Sequence, residues 1–252
     1  MTKAPTSALS RREWLELAAG GSALSAMAAS PLAALAQAGG AKVKIATIGA
    51  GREGGALGTL FAKEGHQVMF SSRNPDQLKD LVASAGPNAR AGTVAEAVAF
   101  GDVVLLVVPY TAIEQIGKDY GKALAEKALV IDVSNPSPGR DGEAIVKWVA
   151  EQGGAGLATA KLVPGAHLVR AFNAIGFKAL GADAHRAGEP VGVPIAGDDQ
   201  KAIELATTLI KEIGVEPVLV GGLAMGKYLV PGTPLGGEHT PAEIRQIAAK
   251  LT

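Results

Sequence analysis

The 252-residue sequence contains no cysteine, few aromatic residues and no net charge. Without cysteine, the chain can form no disulfide, no thiolate nucleophile and no cysteine-ligated zinc or iron–sulfur site. Nucleic-acid-binding proteins usually carry basic patches and exposed aromatic residues. This sequence has a formal net charge of zero and only 4% aromatic residues, so no nucleic-acid partner is predicted. The remaining composition, 48% hydrophobic and 19% charged, is typical of a globular protein.

Long apolar runs are also scarce, and the weakly apolar stretch near the start of the chain follows two adjacent arginines. Arg11 and Arg12 precede an Ala/Gly/Ser-rich run that ends in small residues at alternating positions. This order predicts a twin-arginine-type signal peptide over residues 1–38, cleaved after Ala36 or Ala38. We therefore expect export to the periplasm through the twin-arginine machinery. An Ala-rich amphipathic helix of a cytoplasmic protein and an uncleaved anchor are the alternatives.

A glycine-rich turn follows the first strand-like segment. The apolar run from Val43 to Ile48 ends abruptly at Gly49-Ala50-Gly51-Arg52-Glu53-Gly54, and helical periodicity begins directly afterwards. This is the G-x-G-x-x-G pattern in its strand–turn–helix context, where the glycines allow a tight turn and a close approach to a pyrophosphate. The sequence therefore predicts a dinucleotide site at the start of this helix, the alternative being a turn that serves only packing.

The end of the second predicted strand indicates which dinucleotide binds. Ser71-Ser72-Arg73 stands about twenty residues beyond the glycines, where NAD-selective proteins carry an acid that bonds the ribose 2′-hydroxyl. Two hydroxyls and a guanidinium instead offer donors and positive charge to a 2′-phosphate. The pattern favours NADP over NAD, unless these residues form an ordinary solvated turn.

Strand and helix patterns continue to alternate along the rest of the chain. Helices are predicted over residues 201–213, capped by Asp198-Asp199, over residues 223–229, and over residues 241–251, capped by Thr240. Asp102 is followed by a continuous apolar run over residues 103–108, which is typical of a strand buried on both faces of a parallel sheet. We predict an α/β fold, a Rossmann-type doubly wound, mostly parallel sheet, over residues 42–252 with a short C-terminal extension from about residue 215. Val108-Pro109 and the loop at Asn135 follow two of the strands, on the edge where open α/β sheets bind ligands.

These segments resemble the NADPH-dependent deazaflavin (coenzyme F-420) reductases, and also the cytosolic NADPH-binding domains of transmembrane ferric reductases. The segments that carry the similarity are Gly49 to Gly58, Ser71-Ser72-Arg73, the strand from Val103 to Pro109, Val169-Arg170-Ala171-Phe172-Asn173, Gly197-Asp198-Asp199 and Gly221-Gly222-Leu223. It implies an NADP-dependent oxidoreductase that transfers hydride between NADPH and a deazaflavin or flavin-type acceptor. Members of these families are cytoplasmic or face the cytosol, whereas export is expected for this chain.

The resemblance also assigns the segments to parts of the cofactor. The glycine turn would line the pyrophosphate, Ser72 and Arg73 the 2′-phosphate, Val108-Pro109 the adenosine or ribose, and Ala171-Phe172-Asn173 the nicotinamide and acceptor rings. The predicted cofactor-binding residues are Gly49, Ala50, Gly51, Arg52, Glu53, Gly54, Ser71, Ser72, Arg73, Val108, Pro109, Asn135, Ala171, Phe172 and Asn173.

No catalytic side chain and no metal site are predicted. Ring-to-ring hydride transfer needs position and electrostatics rather than an acid–base pair. The histidines, at positions 66, 167, 185 and 239, are scattered, and each is interpreted as a surface or loop residue. The predicted partner is a small-molecule redox acceptor, with a homodimer possible. A carbonyl or imine dehydrogenase and a non-catalytic exported NADP-binding module are the alternative functions.

Overall fold

Within residues 42–251, which the computed structural model describes, the chain forms one eight-stranded sheet in the order β3-β2-β1-β4-β5-β6-β7-β8. Strands β1 to β6 are mutually parallel, β7 is antiparallel to β6, and β8 is parallel to β7. This confirms the predicted Rossmann-type, mostly parallel α/β fold. The strands are β1 Lys44–Ile48, β2 Gln67–Ser71, β3 Ala89–Gly92, β4 Val103–Leu106, β5 Leu129–Asp132, β6 Leu168–Arg170, β7 Gly192–Gly197 and β8 Glu216–Gly221.

Helices cover the two faces of this sheet. The α-helices are α1 Arg52–Lys63, α2 Lys79–Ala85, α3 Val94–Phe100, α4 Ile113–Ala125, α5 Pro138–Asp141, α6 Glu143–Glu151, α7 Ala155–Leu162, α8 Phe177–Asp183, α9 Gln200–Glu212 and α10 Pro241–Ala248. Short 3₁₀ turns span Pro75–Leu78, Tyr110–Ala112 and Leu223–Tyr228. One core joins α1, α8 and α9 to the sheet, and a second joins α3, α4, α6 and α7 to its other face.

The central strands are buried because they are apolar on both faces. Every residue of β4 and of β5 is buried, as the continuous apolar run predicted for β4. A smaller third cluster, which includes Val218, Leu229 and Ile244, packs the segment after β8 and α10 against β7 and β8. The C-terminal extension thus lies on the same sheet as the rest of the fold.

Three helices begin at residues that cap their first turn. Thr93 and Thr240 form capping boxes with Glu96 and Glu243, and Asp199 accepts from the first-turn N–H groups of α9. The caps at Asp199 and Thr240 were predicted from the sequence. The helix expected at 223–229 is a 3₁₀ helix over Leu223–Tyr228 rather than an α-helix.

The loop residue His66 is buried rather than exposed. His66 is completely buried, and its Nδ1 accepts from the Val43 N–H while Nε2 lies 2.8 Å from Glu212 Oε2. Of the two predicted settings, surface or loop, the structure confirms the loop, because His66 lies between α1 and β2, and excludes the surface. A ring that bridges two chain segments can be buried because both of its nitrogens find partners.

The predicted signal peptide, residues 1–38, lies outside the described residues. From residue 42 to residue 251, no helix combines the length and the hydropathy needed to cross a bilayer.

Candidate active site

Two glycines of the turn after β1 are required by close backbone contacts. Gly49 has φ +98°, and a Cβ added there would lie 2.2 Å from the Val107 carbonyl oxygen. A Cβ added at Gly54 would lie 2.1 Å from the Gly49 carbonyl oxygen. By contrast, nothing lies within 4 Å of a Cβ added at Gly51. The turn therefore has the tight, open geometry that lets a ligand approach the backbone.

The start of α1 differs from the capped helices because no side chain caps it. Gly51 is the N-cap residue and makes no side-chain cap bond, and the first intrahelical bond runs from Gly55 N–H to the Gly51 carbonyl at 2.7 Å. The N–H groups of the preceding first-turn residues thus have no intrahelical partner, and the helix dipole adds positive potential there. This arrangement fits a pyrophosphate.

A cleft of about 430 Å³ opens beside this turn. Its walls follow the carboxyl ends of β1, β4, β5 and β6, which is the edge where open parallel sheets bind nucleotides. The lining residues include Gly51, Arg52, Glu53, Gly54, Val108, Pro109, Ser134, Asn135, Arg140, Phe172, Asn173, Phe177 and Pro231. The cleft therefore joins the predicted pyrophosphate turn to the predicted nicotinamide segment.

A buried ion pair supports the floor of the cleft. Arg170 and Asp132 have no exposed side-chain surface, and their Nη1 and Oδ2 atoms are 2.5 Å apart. Arg170 Nη1 also donates to the Ser134 carbonyl at 3.0 Å, and Nη2 donates to Asn135 Oδ1 at 2.9 Å. The guanidinium thereby fixes the loop that follows β5.

Both polar atoms of the Asn135 side-chain amide form hydrogen bonds. Its Oδ1 accepts from Arg170, and its Nδ2 donates to the Asn173 carbonyl at 2.7 Å. Asn173 Nδ2 in turn donates to the Asp132 carbonyl at 3.0 Å, while its Oδ1 is buried with no partner within residues 42–251. Asn135, predicted to bind cofactor, thus ties the two loops together and lines the cleft with the remainder of its surface.

Phe172 forms the adjoining wall in an unusual backbone conformation. Its φ is +65°, in the left-handed region that a bulky residue rarely adopts, and it is 1% exposed. The next wall residue, Phe177, begins α8, and the Arg52 guanidinium lies 5.9 Å from its ring centroid. The aromatic side of the cleft is therefore attached to the glycine turn.

At the end of β2, the three predicted phosphate-binding residues differ in their exposure. The Ser71 hydroxyl is buried and donates to the Thr47 carbonyl at 2.9 Å, so its predicted role as a phosphate donor needs correction. Ser72 Oγ accepts from Asn74 N–H at 3.0 Å. Arg73 is exposed and makes no ion pair with any residue between 42 and 251. Its guanidinium is available to a ligand.

The remaining predicted residues are placed as follows. Gly49 and Ala50 build the turn, and Ala50 N–H donates to the Ser71 carbonyl at 3.2 Å, which joins the turn to the end of β2. Ala171 is completely buried in the core and is not among the residues that line the cleft, so its predicted contact with the rings is corrected. Sequence reasoning missed Arg140, Phe177 and Pro231, which come from irregular segments or element ends without a motif.

Residues 44–136 match the family model described as NADP oxidoreductase coenzyme F420-dependent. The expected resemblance is confirmed over this segment. It runs from β1 to the loop after β5 and so contains the glycine turn, the end of β2 and two walls of the cleft. The expected enzyme class, an NADP-dependent oxidoreductase, is confirmed with it.

Solved structures share the fold over a longer part of the chain. A hypothetical protein from Sinorhizobium meliloti is 26% identical, with a TM-score of 0.63 over 79% of this chain and 96% of its own. A proposed F420-dependent NADP-reductase from Arthrobacter sp. FB24 is 20% identical, with a TM-score of 0.58 over 73% and 87%. An imine reductase from Myxococcus stipitatus, 19% identical with a TM-score of 0.53, is matched over 74% of this chain and 57% of its own length.

Proposed function

We propose that the protein transfers hydride between NADPH and a deazaflavin or flavin-type acceptor that occupies the aromatic side of the cleft. The observation that carries the proposal is the form of the cleft. An uncapped glycine turn suited to a pyrophosphate and a wall containing Phe172 and Phe177 lie at the carboxyl edge of the same parallel sheet. The family match over residues 44–136 supports the same reaction class.

The chain's residues would act by position. The first-turn N–H groups of α1 would hold the pyrophosphate, and Arg73 would pair with the 2′-phosphate. Phe172, Phe177 and Pro231 would exclude water from the side of the cleft where two flat rings can stack. NADPH, when bound, supplies the hydride. Among the residues lining the cleft no histidine occurs, which agrees with a transfer that needs no imidazole.

Anaerobic single-turnover mixing of the protein and NADPH with a deazaflavin or a flavin tests the proposal. We expect NADPH oxidation and acceptor reduction at equal rates, with little change in the rate between about pH 5.5 and 8 when NADPH saturates, because no histidine titrates in the reaction. A carbonyl or imine acceptor needs a proton at the developing oxygen or nitrogen anion. Turnover of such compounds alone would replace the proposed acceptor, and tight NADPH binding without any turnover would indicate a binding module.

A matched pair of variants tests whether the reaction depends on nucleotide binding in the cleft. Gly51→Asp places a carboxylate where the pyrophosphate is expected, at a position with open space for a Cβ, whereas Gly121→Asp places the same group on α4 at a position that is equally open. We expect the first variant to remain folded and lose NADPH binding, and the second to retain both. Equal activity of both variants would contradict the proposed site.

We also propose that the protein is exported through the twin-arginine route, on the basis of Arg11, Arg12 and the weakly apolar run that follows them. That route accepts folded proteins, so a nucleotide could travel inside the cleft.

A further inference from the structure

Glu53 carries a carboxyl group where the glycine turn meets the aromatic wall of the cleft. Its Oε2 accepts from the Phe177 N–H at 3.2 Å. Its Oε1 is buried and has no hydrogen-bond partner within residues 42–251. Glu53 also lines the cleft and is the acidic residue in the first turn of α1. An acid therefore stands beside the N–H groups that are expected to hold an anion.

A charged carboxylate is poorly stabilised at this position. A buried oxygen without a partner loses its hydration and gains nothing in return, and this cost is larger for an ionised group. Burial accordingly raises the pKa of Glu53, and the hydrogen bond from Phe177 N–H lowers it by less. A pyrophosphate on the first turn of α1 would lie next to the carboxyl, because the N–H of Glu53 itself belongs to that turn. The negative pyrophosphate would repel an ionised Glu53 carboxylate beside it, which favours the neutral form of the carboxyl group.

We propose that Glu53 takes up a proton when NADP(H) binds, and that the neutral carboxyl then keeps the Phe177 wall attached to the pyrophosphate turn. The inference rests on the proposed nucleotide site and adds a regulation of it. Because binding and protonation are linked, the affinity for the nucleotide weakens as the pH rises. Glu53 is thus a positioning residue that acts through Phe177.

The other charged groups around the Glu53 carboxyl are two arginines of the cleft and a lysine on α8. Arg52 on the same turn and Arg140 from α5 line the cleft, and guanidinium groups stay charged at all working pH values. On α8, Lys178 is exposed and does not line the cleft. No histidine lines the cleft. Among these groups a proton taken up between about pH 5 and 8 is therefore assigned to Glu53 or to the ligand.

Binding of NADPH measured against pH tests the inference, with Glu53→Gln as the informative variant. Glutamine retains an oxygen for the Phe177 N–H but cannot ionise. Glu143→Gln, an exposed position in the first turn of α6, is the control. We expect the Kd for NADPH of the wild type and of Glu143→Gln to rise with pH more steeply than that of Glu53→Gln. The difference between the slopes should be up to about tenfold in Kd per pH unit. The ligand's 2′-phosphate, with a pKa of about 6, affects all three proteins equally.

Calorimetry supplies a second readout that needs no variant. Binding of NADH, which lacks the 2′-phosphate, to the wild-type protein in buffers of different ionisation enthalpy reports the protons taken up. Net proton uptake supports the inference, and none overturns it. Identical pH slopes for wild type and Glu53→Gln overturn it as well. If neither the wild type nor Glu53→Gln binds NADPH at any pH, the proposed nucleotide site itself is refuted. That outcome differs from nucleotide binding without proton uptake, which refutes only the role of Glu53.

Discussion

The Arg170 guanidinium and the Asp132 carboxylate meet where neither side chain has any exposed surface. Replacing Arg170 with Met should lower the free energy of unfolding by about 3–5 kcal/mol, because it leaves a buried carboxylate unpaired. Urea unfolding measures this loss. Lys118→Met, which removes an exposed pair with Glu114 on α4, is the control and should cost less than about 0.5 kcal/mol. Similar losses in the two variants would show that the buried pair does not support the floor of the cleft.

Arg73 should select NADP over NAD. The exposed guanidinium at the end of β2 makes no ion pair with the described residues. Its replacement by Ala should therefore leave the unfolding midpoint unchanged. The same change should weaken NADPH binding by roughly 1.5–3 kcal/mol, the range for a charge-assisted contact, and barely change NADH binding. Titration of NADPH and of NADH into the wild type and the variant measures the two affinities. Equal losses of affinity for both cofactors would exclude the proposed contact with the 2′-phosphate.

Gly58 should tolerate no side chain although it lies within a helix. A Cβ added there would lie 2.3 Å from Cε1 of the completely buried Phe70. Gly58→Ala should therefore destabilise the protein by about 1–3 kcal/mol through overpacking. Gly121→Ala on α4, where the added Cβ meets nothing within 4 Å, should instead stabilise it by up to about 1 kcal/mol. Thermal unfolding of the two variants should show shifts of opposite sign.

Acid should destabilise the protein partly through His66. Burial lowers the pKa of His66, and its contact with Glu212 only partly offsets that effect. A histidine whose folded-state pKa lies below the unfolded value of about 6.5 contributes stability above pH 6.5 that is lost as the pH falls through the folded-state pKa. Urea midpoints between pH 5 and 8 should show this loss, and less of it in His66→Gln. A loss of stability in His66→Gln as large as in the wild type would contradict this assignment.

Export should depend on the paired arginines. Changing Arg11 and Arg12 to Lys should leave the precursor in the cytoplasm, since the twin-arginine route reads this pair. Fractionation with N-terminal sequencing of the exported protein measures the effect. Continued appearance of a mature form that begins near Gln37 or Gly39 would show that another route is used.

Local patterns in the sequence predicted the parts of the fold that local physics determines. The glycine turn, the continuous apolar β4 and the caps at Asp199 and Thr240 each follow from neighbouring residues. Contacts between distant segments could not be predicted in this way. The burial of Ser71 depends on β1 lying beside β2, and the contact of Glu53 with Phe177 depends on how α8 packs against α1.

The aromatic wall was predicted only in part for the same reason. Val169-Arg170-Ala171-Phe172-Asn173 was predicted as one segment, but Phe172 and Asn173 line the cleft whereas Ala171 lies in the core. Pro231 reaches the cleft from beyond β8, and Arg140 from a short helix, and no sequence pattern marks either position.

The left-handed backbone of Phe172 places opposing demands on the substitutions that this position accepts. A glycine would relieve the strain, which is of the order of 1–3 kcal/mol, but would remove the aromatic surface from the cleft. A β-branched residue would increase the strain without restoring a flat ring. Because the Phe172 side chain is only 1% exposed, its removal from the core should cost about 3–5 kcal/mol, more than the strain that a glycine relieves. In a saturation library at position 172, selection for stability and selection for hydride transfer should therefore both retain aromatic residues.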